Sequence, residues 1–217
     1  MIPLPFSIIL LSLVTLLVYL GFAQRVLDRM RLNDKTAIIL LAFLIVAHFI
    51  PPIQVSPVLA INLGAFVPLG IVVYLLVTTS SSERLRSLLL SVTVASLLWL
   101  TDRFFPLEPG GFLFDIDPLY IPGLLGGFLA YVTTRSRRSA FVSAVLGVFL
   151  LDLLATLVIF LNRHPQQILI GGGGVFDALL LSGILAVAIA EIIGEIRERI
   201  YRGPAKIDNP EDGDDSV

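Results

Sequence analysis

The feature that most constrains this chain is a succession of apolar stretches, most of them close to 20 residues long, separated by short charged or turn-forming segments. A helix rises ~1.5 Å per residue, so a stretch of that length crosses a hydrocarbon core of about 30 Å with its peptide groups bonded internally, as lipid demands. Seven such stretches are expected, at about 4–23, 36–53, 57–78, 86–101, 117–134, 139–162 and 168–194. Only 15% of the 217 residues are charged, whereas soluble domains carry about 25%. The expectation is an all-α polytopic membrane protein with a single transmembrane domain over residues 1–195. The tail, 196–217, is acidic and broken by Pro and Gly in "GPAKIDNPEDGDDSV", so it reads as mostly disordered. With no cysteine in the chain, disulfides, thiol nucleophiles and thiolate metal sites are excluded. No cofactor, metal or nucleic-acid partner is expected; the lipid bilayer is.

The basic residues fall in every second loop. Arg25, Arg29, Arg31 and Lys35, then Arg84 and Arg86, then Arg135, Arg137 and Arg138, then Arg197, Arg199, Arg202 and Lys206 make thirteen of the fifteen. The alternate loops hold only Arg103 and Arg163. Cytoplasmic loops retain Lys and Arg, so the N-terminus is expected outside and the C-terminus in the cytoplasm. A cleaved signal peptide is the rival reading of the start, because Gly21-Phe22-Ala23 resembles a cleavage site. Against it, no basic residue precedes the apolar run, and the positive charge follows it. The segment "QRVLDRMRLNDK" suits either a short interfacial helix or a solvated basic loop.

An ionisable side chain at the centre of a span costs at least ~2.5–3.5 kcal/mol, so each needs a wet, interior or paired location. Asp152 in "SAFVSAVLGVFLLDLLATLVIFL" is the clearest misfit, ~20 Å from the cytoplasmic edge near Ser139. The second is Asp177, which follows the run Gly171, Gly172, Gly173 and Gly174 in "ILIGGGGVFDALLL". Were the glycines a surface loop, Asp177 would be an ordinary first-turn acid favoured by the helix dipole. Were the chain to re-enter the bilayer at Ile168, the glycines would form an unwound segment and Asp177 would reach about the depth of Asp152. The apolar "QQILI" before the glycines favours the buried version.

Other polar positions carry less. Glu191 is expected among the cytoplasmic charges with Glu195 and Glu198, and His48 at the outer end of the second span. Asn62 and Pro68 would bend the third span and offer one interhelical hydrogen bond. Gly123 and Gly127, and Ser139, Ser143 and Gly147, repeat small residues every four and mark close helix packing. Asp102, Glu108, Asp115 and Asp117 are oxygen donors of the kind that hold a hard cation. Their spacing matches no calcium loop, and a solvated acidic loop is preferred.

Four segments, "FAQRVLDRMRL", "INLGAFVP", "AYVTTRSRRSAFVSAVLGVFLLDLL" and "GGGGVFDALLLSGILAV", together resemble the bacterial and archaeal membrane-protein family catalogued as domain of unknown function 1614. The resemblance runs from about residue 5 to 195 and is most specific around Asp152 and Asp177. It implies a prokaryotic cytoplasmic membrane and no established activity.

Three functions follow as expectations. In the first, Asp152, Asp177 and the glycine backbone Gly171–Gly174 line a polar site between the sixth and seventh spans for proton- or cation-linked transport. Two carboxylates in low dielectric cannot both stay ionised cheaply, so they exchange a proton; so small a carrier is expected to form a homo-oligomer. In the second, the two aspartates are the catalytic pair of an intramembrane hydrolase, similar to presenilin-like proteases. Those enzymes carry Gly-x-Gly-Asp, whereas here Val175 and Phe176 separate Gly174 from Asp177. In the third, a structural or partner-binding protein, Asp152 is protonated and hydrogen-bonded to Thr156 or to a neighbouring span.

Overall fold

The computed structural model describes residues 35, 39, 42, 43, 46, 47, 49–104, 120–162, 168–170 and 177–202. The first expected span, His48, the glycine run 171–174, Glu108, Asp115 and Asp117 therefore lie outside the described residues. The described chain is mostly helical, in the order β1 (Ile53–Ser56), β2 (Leu59–Ile61), a 3-10 turn (Leu63–Ala65), α1 (Phe66–Thr78), α2 (Ser81–Phe104), α3 (Ile121–Thr134), α4 (Arg137–Asn162), β3 (Ile168–Ile170) and α5 (Ala178–Arg202). Three of these helices, Ser81–Phe104, Arg137–Asn162 and Ala178–Ile200, are long and apolar enough to cross a membrane, and α1 and α3 are shorter apolar helices. Large apolar side chains such as Val77, Leu89, Val92, Phe128, Val132 and Phe160 stand exposed along them, an outer surface that water would disfavour and lipid suits.

A small sheet amends the all-α expectation. β1 and β2 pair antiparallel, Ile53 opposite Ile61, and β2 pairs parallel with β3, Leu59 opposite Ile168 and Ile61 opposite Ile170. Bonds from Ile168 N–H to Val58 O (2.9 Å) and from Asn62 N–H to Ile170 O (2.8 Å) frame the parallel pair. The expected continuous spans 57–78 and 168–194 thus each begin as a strand and become a helix only later. The β-branched "IQVS" and "ILI" favour the pleated conformation, and each run ends at residues suited to a turn. In the first, the buried Asn62 accepts a bond from Gly64 N–H (2.8 Å) and caps the 3-10 turn. Asn62 and Pro68 therefore do not bend a span. Pro68 is the third residue of α1, where an absent N–H costs no intrahelical bond.

Arg84 closes the other end of α1: its guanidinium donates to Leu76 O (2.7 Å), Thr79 O (3.4 Å) and Val77 O (3.5 Å). A cation among the last carbonyls of a helix satisfies orphan acceptors and opposes the negative dipole end. Along α2, the hydroxyls of Ser87, Ser91, Thr93, Ser96 and Thr101 each donate to the carbonyl four residues back, which satisfies them without water. Ser87, Leu90, Ser91, Val94, Ala95 and Leu98 form the buried face of α2. That face lies on α4, where the Ser87 and Ser139 hydroxyls are hydrogen-bonded at 2.8 Å, Ser87 Oγ accepting since its own proton goes to Glu83 O.

Glycine lets α3 approach both of its partners. A Cβ on Gly127 would meet Ala186 O at 2.6 Å, one on Gly123 would meet Leu185 Cβ at 2.8 Å, and one on Gly126 would meet Ala144 Cα at 2.9 Å. One edge of α3 is thereby pressed on α5 and the other on α4. Gly147 sits against Val94 in the same way, at 2.6 Å. The small-residue repeats are close-packing devices, as the sequence leads one to expect. Ala130, Ala140, Ala144, Ala186 and Ala190 fill this contact, while Val72, Leu75, Val94, Phe141, Val145, Leu179 and Val187 form the larger core beside it. α5 runs to Arg202, beyond the expected domain boundary at 195, with Glu195 and Arg199 paired one turn apart at 3.3 Å.

Candidate functional site

The candidate site lies where α4 and α5 lie side by side at the sheet end of the bundle. α4 is wholly buried from Ser139 to Val145 and again at Gly147 and Val148, and its C-terminal half emerges beyond that. Asp152 sits at the transition, half-buried. Thr156 Oγ donates to the Asp152 carbonyl oxygen at 2.7 Å, so the Thr156 hydroxyl serves the backbone and not the Asp152 carboxyl. Among the described residues, no side chain forms an ion pair with Asp152.

Asp177 immediately precedes α5. Its Oδ1 accepts from Leu179 N–H at 3.0 Å and its carbonyl accepts from Leu181 N–H at 3.0 Å, which makes it the N-cap. It is half-buried, not a fully solvated loop residue. Its carboxylate stands within electrostatic range of Asp152. Asp152 on α4 and Asp177 at the start of α5 thus lie at the same end of this helix pair. The strand β3, buried through Ile170 at 1% exposure, fixes where the chain enters the segment that leads to Asp177.

Antiparallel helices explain a second meeting. From Arg137 to Asp152 along α4 is fifteen residues and from Asp177 to Glu191 along α5 is fourteen, so both intervals span ~21–23 Å. With Asp152 beside Asp177, Arg137 must fall beside Glu191, and the Arg137 Nε donates to Glu191 Oε2. Glu191 is 8% exposed, so it sits among the charges at this end as a buried acid paired with Arg137. The sequence held the signal in the near-equal spacings. Asp102, the one member of the group Asp102, Glu108, Asp115 and Asp117 among the described residues, is exposed near the end of α2. No group of three metal-ligating side chains occurs among the described residues.

The arrangement is a carboxyl pair at one end of a helix pair and an ion pair at the other. No curated protein and no solved structure matches this chain. The model of the family described as "Protein of unknown function (DUF1614)" matches residues 9–189, and the chain belongs to that family.

Proposed function

We propose that this is a multi-pass protein of a prokaryotic cytoplasmic membrane, with seven spans, its N-terminus outside and its C-terminus in the cytoplasm. In this reading Asp152 and Asp177 form a protonatable site for proton- or cation-linked transport. What supports it is the placement of two aspartates, within electrostatic range of each other, at the same end of two adjacent helices, far from the Arg137–Glu191 pair at the other end. Two carboxyl groups that interact in a low-dielectric setting titrate as a unit and hold one proton between them over a wide pH range. Release of that proton, or its exchange for a cation, is the elementary step of a coupled carrier. The glycine run Gly171–Gly174 lies shortly before Asp177 in sequence and offers backbone groups free of side chains, suited to ligating a cation. A homo-oligomer completes the path in so small a chain.

The test is flux in proteoliposomes containing the full chain and a trapped pH indicator. Wild type should pass protons or a proton-coupled cation, and Asp152→Asn and Asp177→Asn should each abolish the flux. Undiminished flux in the double variant would remove the reading.

A second reading is favoured by one observation. β3 is an edge strand of the sheet, its Leu169 is exposed, and the chain continues from it to Asp177. An extended peptide added at such an edge would lie near a carboxyl pair of the kind that activates water for hydrolysis. Aspartate-dependent cleavage of transmembrane peptides, with no ion flux, would establish this reading over the first.

A further inference from the structure

At the end of the bundle opposite the aspartates, α3, α4 and α5 converge on an open cavity of about 360 Å³, lined by Tyr131, Arg135, Arg137, Gly194, Arg197 and Glu198. Its three arginines come from two sequence clusters about 60 residues apart. In the sequence, both clusters are explained by membrane topology alone, which asks only that positive charge be on one side. Topology does not ask that the arginines share a cavity.

Two local features show that the cavity is shaped around their guanidinium groups. A Cβ on Gly194 would meet Arg137 Nη2 at 3.2 Å and Tyr131 Cε2 at 3.4 Å. Gly194 thus leaves room for the Arg137 head, whose Nε is held by Glu191 while Nη2 lies over the glycine. Arg135 ends α3 at φ 53°, the left-handed position, with its N–H bonded to Ala130 O and Tyr131 O at 3.1 Å each. Glycine or asparagine ordinarily occupies that cap, because a Cβ is disfavoured there. An arginine at this cap aims a long cation from the rim of the cavity. Among the described residues its guanidinium makes no hydrogen bond or ion pair.

We infer that this cavity binds a phosphate-bearing anion, with Arg135 and Arg197 contacting the phosphate oxygens and Arg137 held in place by Glu191 to present its Nη groups. Arginine forks match phosphate geometry and make charge-assisted bonds. In a membrane-spanning chain the phosphate source at hand is an anionic phospholipid head group of the leaflet at this end, and basic pockets between spans are suited to it. A soluble phosphate compound shares the same chemistry. Glu198, exposed on the rim, opposes the anion and weakens its binding.

The test uses the purified full chain in phosphatidylcholine nanodiscs and in a neutral detergent. Bound lipid is counted by native mass spectrometry during titration with phosphatidylglycerol, and glycerol 1-phosphate and inorganic phosphate are titrated separately by calorimetry. Wild type should retain phosphatidylglycerol over phosphatidylcholine. Arg135→Gln and Arg197→Gln should each weaken retention about tenfold, and Glu198→Gln should tighten it. Gly194→Leu fills the cavity without altering charge and should also abolish retention, while Arg86→Gln, exposed near the same end on α2, should leave it unchanged. Binding of glycerol 1-phosphate or inorganic phosphate, lost in the same variants, would assign the cavity to a soluble phosphate. Equal retention in Gly194→Leu and wild type, or equal losses in Arg86→Gln and Arg135→Gln, would reduce the effect to diffuse surface charge and overturn the proposal.

Discussion

At one end of the α4–α5 pair Arg137 is bonded to Glu191; at the other, Asp152 and Asp177 stand within electrostatic range of each other. The same two helices, packed through the same small residues, bury opposite charges together in one place and bring like charges together in another. The side chains of the ion pair are 17% and 10% exposed, so its attraction is little screened and each partner would be costly to leave alone. Like charges brought together add nothing to folding. The first arrangement is intelligible as architecture, whereas the second needs a use.

The largest expected effect therefore lies at the paired end. Glu191→Ala should destabilise the chain by about 3–5 kcal/mol, because it strands the Arg137 guanidinium. The double variant Arg137→Met with Glu191→Leu should recover most of that loss, since an apolar pair of similar volume carries no desolvation cost. Reversible unfolding in mixed micelles measures both. A double variant as unstable as the single one would show that the pair fixes the packing of α3, α4 and α5 and does not merely neutralise itself.

Next in size is Gly127→Val. Its Cβ would meet the Ala186 carbonyl, backbone that cannot swing aside, and overpacking of this kind costs about 1–3 kcal/mol. At the sheet end the corresponding device is Asn62. Asn62→Ala removes the cap on Gly64 N–H and should cost about 1 kcal/mol. A larger loss at Asn62 than at Gly127 would reverse the contrast and make the sheet end the anchor of the fold.

The two ends also differ in how far the sequence reveals them. Apolar runs of 20 residues have one solution in lipid, so α2 and α4 fall within about five residues of the expected 86–101 and 139–162. Asp152 and Asp177 are conspicuous because ionisable groups stand out among leucines, and taking the two helices as neighbours puts both at one end of the pair. The sheet was not legible. "LAI" and "ILI" are three residues long, and over three residues a strand and the first turn of an apolar helix present the same pattern. Their pairing joins positions 109 apart, which no local period reports. The burial and pairing of Glu191 were not legible, because its facing residue, Arg137, is 54 positions away. The arginine cavity was hidden for the same reason, since basic clusters at membrane edges already have a sufficient explanation in topology.

Asp152→Asn sets function against stability at the unpaired end. The change leaves Thr156 bonded to the backbone and removes a like-charge interaction with Asp177. Stability should stay within about 1 kcal/mol of wild type or rise, since the carboxyl has no ion pair to lose. Proton-linked flux should vanish in the same variant. A loss of stability comparable to that of Glu191→Ala would mean that Asp152 is a structural group, and the contrast between the ends would disappear.

The smallest effect is the most discriminating for the structural alternative. If Asp152 were there to be satisfied by Thr156, the threonine hydroxyl would have to meet the carboxyl, and Thr156→Val would leave that carboxyl stranded at a cost of about 1–3 kcal/mol. The hydroxyl instead donates to the carbonyl of Asp152, an acceptor that the helix already bonds, and such back-bonding contributes little. Thr156→Val, close in volume and suited to an apolar helix, should shift stability by less than about 0.5 kcal/mol. It should also leave unchanged the rate at which a carboxyl-directed reagent modifies Asp152, compared with wild type in the same micelles. A large stability loss together with faster modification would place the hydroxyl on the carboxyl and return Asp152 to architecture. Silence on both counts leaves Asp177 as the group that Asp152 answers to.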